Sequence, residues 1–183
     1  MTIKYFGLLL AAMTTTTPLF AQTPPPPPPA EAKTSATPYV MAAGMSDLYE
    51  INSSEIALQK SKTPAVRSFA TMLIKHHKMT TIATTKAAKK AGLTPTPPML
   101  DAGATASIAE LQGASAADLD RLYIGQQIPA HQAALDLHQS FASGGDQAPL
   151  RMTAKTAVPI VKQHIAAALK LQSGKGMGGM SGM

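Results

Sequence analysis

Thr63-Pro-Ala-Val-Arg-Ser-Phe-Ala-Thr-Met-Leu-Ile-Lys-His-His77, running on to Gly92, is the stretch that decides the fold. Thr63 offers an N-cap hydroxyl, and Pro64 suits the first helical position, where its missing N–H costs nothing. Val66, Phe69, Ala70 and Leu73, then Ala87 and Ala88, recur three or four residues apart and make one apolar stripe. His77 falls near the centre of that stripe and His76 towards its edge. Lys86, Lys89 and Lys90 complement the dipole at the far end, and Gly92 closes the helix. The reading is one long amphipathic helix over 65–91.

The same signals repeat on either side. Thr37-Pro38 opens a first helix over 39–61. Beyond Gly92, Pro95, Pro97 and Pro98 break the chain, and a short helix fits near 102–111. Ser115, with Asp118 three residues later in a box-like arrangement, opens a third long helix that stops at Gly144-Gly145. Asp146 is placed to cap a fourth, extending to Gln172. Short turns at 61–64 and 144–146 make two antiparallel helix hairpins. The long linker between them predicts an all-α, ferritin-like four-helix bundle with a crossover. Pro129 and Pro159 fall inside the third and fourth helices and should kink them.

Composition agrees. The 183 residues suit a single domain. They are 45% hydrophobic but only 4% aromatic, without tryptophan, so the core must be built from Ala, Leu, Ile, Val and Met. The absence of cysteine excludes disulfides, thiolate-held zinc, iron–sulfur clusters and thiol nucleophiles. The net charge of +6 is scattered, with no aromatic or Arg-rich interleaving, so no nucleic-acid partner is expected.

The two ends read differently from the middle. Residues 1–21 have the form of a secretory signal peptide: Lys4, the apolar run Phe6–Met13, and Ala21 at the cut. This predicts a periplasmic or outer-envelope protein beginning at Gln22. Residues 22–38, with the unbroken run Pro24–Pro29, are expected to be a disordered leader. The bundle occupies 39–172, and 173–183 is a Gly/Met-rich tail expected to be disordered.

Projection at about 100° per residue puts ionisable side chains towards the core on every long helix. In the first, Val40, Asp47, Ile51, Ser54 and Leu58 share a face that Glu50 flanks. The second contributes His77. His131 and His138 lie inside the apolar arc of the third, formed by Leu119, Leu122, Tyr123, Ala130, Ala134, Leu137 and Phe141. His164 sits among Leu150, Ala154, Ala157, Val158, Val161, Ile165 and Ala168 of the fourth. Buried unpaired, such groups are costly. Two readings stay open: a polar core network in which His pairs with Glu, Asp, Gln126 or Gln127, or a transition-metal site. Counted from the first turn, Glu50 and His77 lie at one level. His164 lies about five residues farther from its turn than His131, an offset of roughly 7–8 Å.

The segments 46–61, 66–70 with 72–77, 119–123 with Ala130-His131, and 155–159 with His164 resemble, in order and spacing, a large family of exported bacterial proteins of unknown function. These proteins have a ferritin-like four-helix fold and are often labelled outer membrane proteins. The likeness spans 39–171. It maps the family's recurring polar residues onto Glu50, His77, His131 and His164. His76 stands where the family commonly has Asp, and His138 where it has an apolar or aromatic residue. The resemblance implies a fold and a compartment, not a reaction.

Together these observations predict a metal ion as ligand, copper or zinc, for metal handling or stress protection. The expected ligands are Glu50, His77, His131 and His164, with Asp47 and His138 in reserve, and affinity should fall below about pH 6 because protonated imidazole cannot coordinate. Iron is disfavoured because no Glu-x-x-His segment is present. No phosphate loop, nucleophile elbow or triad marks an enzyme. In the tail, Met177, Met180 and Met183 form a Met-x-x-Met-x-x-Met series of soft ligands suited to Cu(I). The competing reading is a metal-free structural or interaction module.

Overall fold

The computed structural model describes residues 24–174. The export segment and the three tail methionines lie outside them. A 3-10 turn, Ala30–Lys33, precedes five helices: α1 Ala36–Lys60, α2 Pro64–Lys90, α3 Ala102–Gly113, α4 Leu119–Gly144 and α5 Ala148–Gln172. The described residues contain no strand.

The four long helices form a bundle in which α1 and α5 each pack on both α2 and α4. Leu119, Ile56, Val66 and Leu171 meet in one apolar cluster, and Tyr39, Ala88, Phe141 and Leu150 in another. Each cluster therefore joins the start or end of all four helices. The directions are up, down, down, up, so every neighbouring pair is antiparallel. The linker carrying α3 must return along the bundle's length to bring α4 in beside α1, which is the expected ferritin-like crossover. The bundle's polar residues collect between the two apolar clusters.

Local chemistry sets the ends. Gly92, at φ +78°, closes α2: its N–H donates to the Lys89 carbonyl and that of Leu93 to Ala88. This is the paired bonding of a glycine-terminated helix. Ser115 Oγ accepts from the Asp118 N–H at 3.2 Å and donates to its carboxylate at 2.7 Å, but this pair closes a turn ahead of α4, whose N-cap is Asp118 and not Ser115 as expected. Lys60 Nζ donates to the carbonyls of Gln112 and Ala114, both at 2.7 Å, and so tethers the end of α3 to α1. α4 and α5 continue through Pro129 and Pro159, each proline freeing one carbonyl a turn earlier.

Other expectations need correction. α1 starts at Ala36, not Tyr39, with Ser35 at the N-cap, so Thr37-Pro38 lies inside the first turn. Thr63 is the N-cap of α2 but turns its hydroxyl to Asp120, at 2.5 Å. Asp146 does not cap α5, whose N-cap is Gln147; instead the Asp146 N–H donates to Thr34 at 2.9 Å. That bond helps tie down part of the leader expected to be disordered. Ala32 is fully buried, Lys33 pairs with Asp136 at 2.7 Å, and Pro26 packs over Gly103 of α3. Small side chains explain the difference, because alanine and proline can dock without large apolar area.

The buried face of α1 is rotated from the expected one. Val40, Ile51 and Leu58 are half-buried, whereas Tyr39, Ala43, Glu50 and Ala57 point inward. Hydrophobic projection misplaces this helix because much of its inner face is polar: Asp47, Glu50, Ser53 and Ser54 are all buried.

Candidate metal centre

Three imidazoles, each from a different long helix, meet in mid-bundle, and the Glu50 carboxylate of the fourth lies beside them without joining the group whose ligand atoms converge. Glu50 and His131 are 1% exposed, His164 0% and His77 4%. Each of the three histidines offers a ligand atom, all within 4.8 Å of one another. The ring centroids are 5.6 Å apart for His77 and His131, 5.1 Å for His77 and His164, and 5.0 Å for His131 and His164.

The level mismatch expected between His131 and His164 is absent: His131 Nε2 lies 3.1 Å from His164 Nδ1. The observed helix ends, Gly144 and Ala148, cut the difference in height to about three residues, or about 4.5 Å. Helical side chains also lean towards their own N-terminus. His131 thus leans away from the turn and His164 towards it, which closes the remainder.

Neighbouring groups fix the orientation of the rings. His131 Nδ1 donates to the Gln127 carbonyl at 2.8 Å, one helical turn back, which leaves Nε2 as the free lone pair. His77 Nδ1 meets Asp47 Oδ1 at 2.8 Å. Asp47 is held in turn by Thr80 Oγ1, at 2.9 and 3.0 Å, and by Thr81 Oγ1, at 2.8 Å. His77 Nε2 therefore faces inward. Among the described residues it has no hydrogen-bond partner, nor does either carboxylate oxygen of Glu50. His131 Nδ1 approaches Glu50 Oε1 to 3.6 Å with its proton committed to the Gln127 carbonyl, and the Gln127 side chain also faces the carboxyl, without completing a hydrogen bond to it.

Electrostatics follow from burial. The Glu50 carboxyl is pushed up to about 8, chiefly by desolvation, partly opposed by His77. Desolvation holds His131 down to about 3 and His164 to about 2, with neighbouring histidines adding to both. Burial also acts to lower His77, but its hydrogen bond to Asp47 and the charges of Asp47 and Glu50 outweigh this and raise it. His131 and His164 are thus neutral, metal-competent imidazoles well below neutral pH.

Asp47, expected as a reserve ligand, is the partner of His77 Nδ1. His138, the other reserve, lies apart, with its Nδ1 3.0 Å from the Tyr39 hydroxyl. Sequence reading left His76 at the edge of its stripe, yet His76 Nδ1 lies 2.8 Å from His164 Nε2. It also passed over Thr80 and Thr81. Their spacing of three and four residues from His77, on the side facing α1, was the available signal. A cavity of about 660 Å³ opens between α1, α2 and the proline-rich linker. Thr81 and Thr84 line it, but none of the cluster's nitrogen or carboxylate donors does.

The solved structure "CopM in the Cu(II)-bound form" is similar in fold, with a TM-score of 0.65 and 16% identity over 77% of this chain and 97% of that one. None of the curated proteins matches the chain by sequence. A family model described as a domain of unknown function, DUF4142, matches residues 21–171, from the leader to the last turn of α5. The chain belongs to the DUF4142 family.

Proposed function

We propose that the protein binds one transition-metal ion in mid-bundle, with Glu50, His77, His131 and His164 as ligands, for metal handling or stress protection in the periplasm or outer envelope. One observation carries the reading. Three buried polar atoms, two on Glu50 and Nε2 of His77, lack partners beside two neutral imidazoles. Unsatisfied groups of this kind are costly unless something binds them. Nitrogens around a single ion with bonds of about 2.0–2.1 Å stand about 3.3–4 Å apart, so modest ring rotations bring the three histidines into range. Asp47 supplies the carboxylate behind a ligating histidine that commonly orients such rings. Imidazole and carboxylate suit copper and zinc, and the Cu(II)-bound state of the fold neighbour makes copper the first metal to test.

Protein purified without a His-tag, titrated with Cu(II) and Zn(II), tests this. Wild type should bind one equivalent, and His77→Ala and His164→Ala should not. If wild type binds neither metal, or both variants bind as it does, the cluster is a polar core network. The chain His76···His164···His131 favours that second reading, since it is hydrogen-bonded without an ion.

Export rests on residues 1–21, and the intact mass of the exported form should begin at Gln22; retention of Met1 would sink it. No helix among the described residues is long and apolar enough to cross a membrane. The tail is proposed as a separate, softer site. A peptide of residues 173–183 should bind Cu(I) through Met177, Met180 and Met183, and its Met→Leu version should not.

A further inference from the structure

The centre is sealed. Glu50, His77, His131 and His164 are each at most 4% exposed, so an ion in solution cannot reach them without a path. The large cavity beside α1 and α2 does not provide one. It reaches Thr81, whose hydroxyl holds Asp47, and Asp47 in turn covers the Nδ1 side of His77.

The seam between α2 and α5 is different. His76 is half-buried, yet its Nδ1 lies 2.8 Å from Nε2 of fully buried His164. The two rings stack at 5.1 Å and 18°. One helical turn before His76, half-buried Met72 presents a thioether that accepts from Gln163 Nε2 of α5 at 3.8 Å. A thioether and an imidazole at the surface thus lead to an imidazole that touches His131 in the centre. All are donors for the same class of borderline-to-soft ion.

We infer that His76 is the port of the centre: it takes the ion from solution and passes it to His164, and it is not one of the final ligands. This rests on the metal-centre reading above. The step is a ligand exchange without redox change. A bond from the ion to an inner imidazole forms as the bond to His76 breaks. The proton held between His76 Nδ1 and His164 Nε2 moves by way of solvent to the other nitrogen of the same ring, so both imidazoles stay neutral and the ion keeps its charge throughout.

A port and a ligand leave opposite kinetic marks. Removing a port raises one barrier seen from both sides, so uptake and release slow by the same factor and the dissociation constant stays put. Removing a ligand speeds release and weakens binding. Stopped-flow mixing of the whole metal-free protein with Cu(II), followed by stripping with excess EDTA, separates the two. For His76→Ala, both rates should fall about tenfold or more, with the dissociation constant within about threefold of wild type. Circular dichroism checks the fold, and His76→Gln, which keeps a polar partner for His164, should show the same slowing. Unchanged rates in both variants overturn the port. So does a tenfold weaker affinity with unchanged uptake, which would make His76 a ligand or a support for His164. Absence of both Cu(II) and Zn(II) binding by wild type overturns the metal-centre reading itself, a result no variant can mimic.

Discussion

His131 and His138 stand seven residues apart on α4, both buried on the same side, yet their surroundings differ in kind. His138 has a hydroxyl partner, Tyr39, with a dissociation range that burial pushes up, and their rings meet edge to face at 5.8 Å. Tyr39 in turn stacks on Phe141 at 3.9 Å. The layer is closed and its polar contact is made. Around His131, one proton goes to Gln127 and Nε2 meets His164 Nδ1, while beside them His77 Nε2 and both Glu50 oxygens are left without a partner. Buried polarity therefore does not itself mark a site. What marks it is buried polar atoms left without partners, three of them here against none in the His138–Tyr39 contact.

The sharpest way to break this contrast is with metal. His77→Ala should reduce Cu(II) binding below detection, whereas His138→Leu should stay within about threefold of wild type. Isothermal titration of the two side by side reads the difference. Loss of binding in both would merge the two layers into one extended site. Binding should also weaken as pH falls below about 8, because the Glu50 proton must leave before the carboxylate can ligate. His131 and His164 stay neutral far below that, so Glu50 and His77 govern the competition with protons.

How much of this was legible in the sequence depends on what each helix buries. α2 and α4 bury aliphatic stripes, and periodicity placed Leu73, Leu122 and Leu137 inward along with the histidines among them. α1 buries Asp47, Glu50, Ser53 and Ser54, so its hydrophobic pattern pointed about one residue astray and set Glu50 at the flank, though it is 1% exposed. Candidate ligands could be named because ionisable residues on inward faces are few. Their hydrogen bonds could not, because whether an imidazole meets a tyrosine hydroxyl or another lone pair depends on helix rotation and height. The pairing of His131 with His164 shows this, since it depended on side-chain lean and on where α5 begins.

Glu50 provides the next largest effect, in the metal-free protein. Its carboxyl sits near 8 when folded against an ordinary value of 4.5. Its contribution to stability is complete below 4.5 and is lost as pH rises through 8. Between pH 5 and pH 9 wild type should lose about 4 kcal/mol on this account. Glu50→Gln should flatten that alkaline limb and bind no metal. Urea denaturation at both pH values measures it, and an equally steep limb in the variant would place the titration elsewhere.

The acid side belongs partly to the other layer. Burial holds His138 down to about 4 from 6.5. Its neutral form is fully compatible with folding above 6.5, and stability declines as pH falls from there towards 4, by about 3 kcal/mol. His131 and His164 act in the same direction. His138→Leu should therefore make the acid limb of the metal-free protein shallower without abolishing it.

Tyr39→Phe is the smallest and most selective test. It keeps the ring stacked on Phe141 and removes only the hydroxyl 3.0 Å from His138 Nδ1. A buried imidazole nitrogen then loses its partner, at a cost of about 1–2 kcal/mol. Replacing both partners, Tyr39→Phe with His138→Leu, should recover most of that loss, because an apolar pair leaves nothing unsatisfied. Cu(II) affinity should be unchanged in the single and the double variant. Thermal or urea denaturation of the two single variants and the double completes a mutant cycle, and a coupling near zero would mean the hydroxyl and the imidazole do not stabilise one another. His138 would then be a buried histidine without its partner, and the distinction between a closed layer and an open centre would rest on the centre alone.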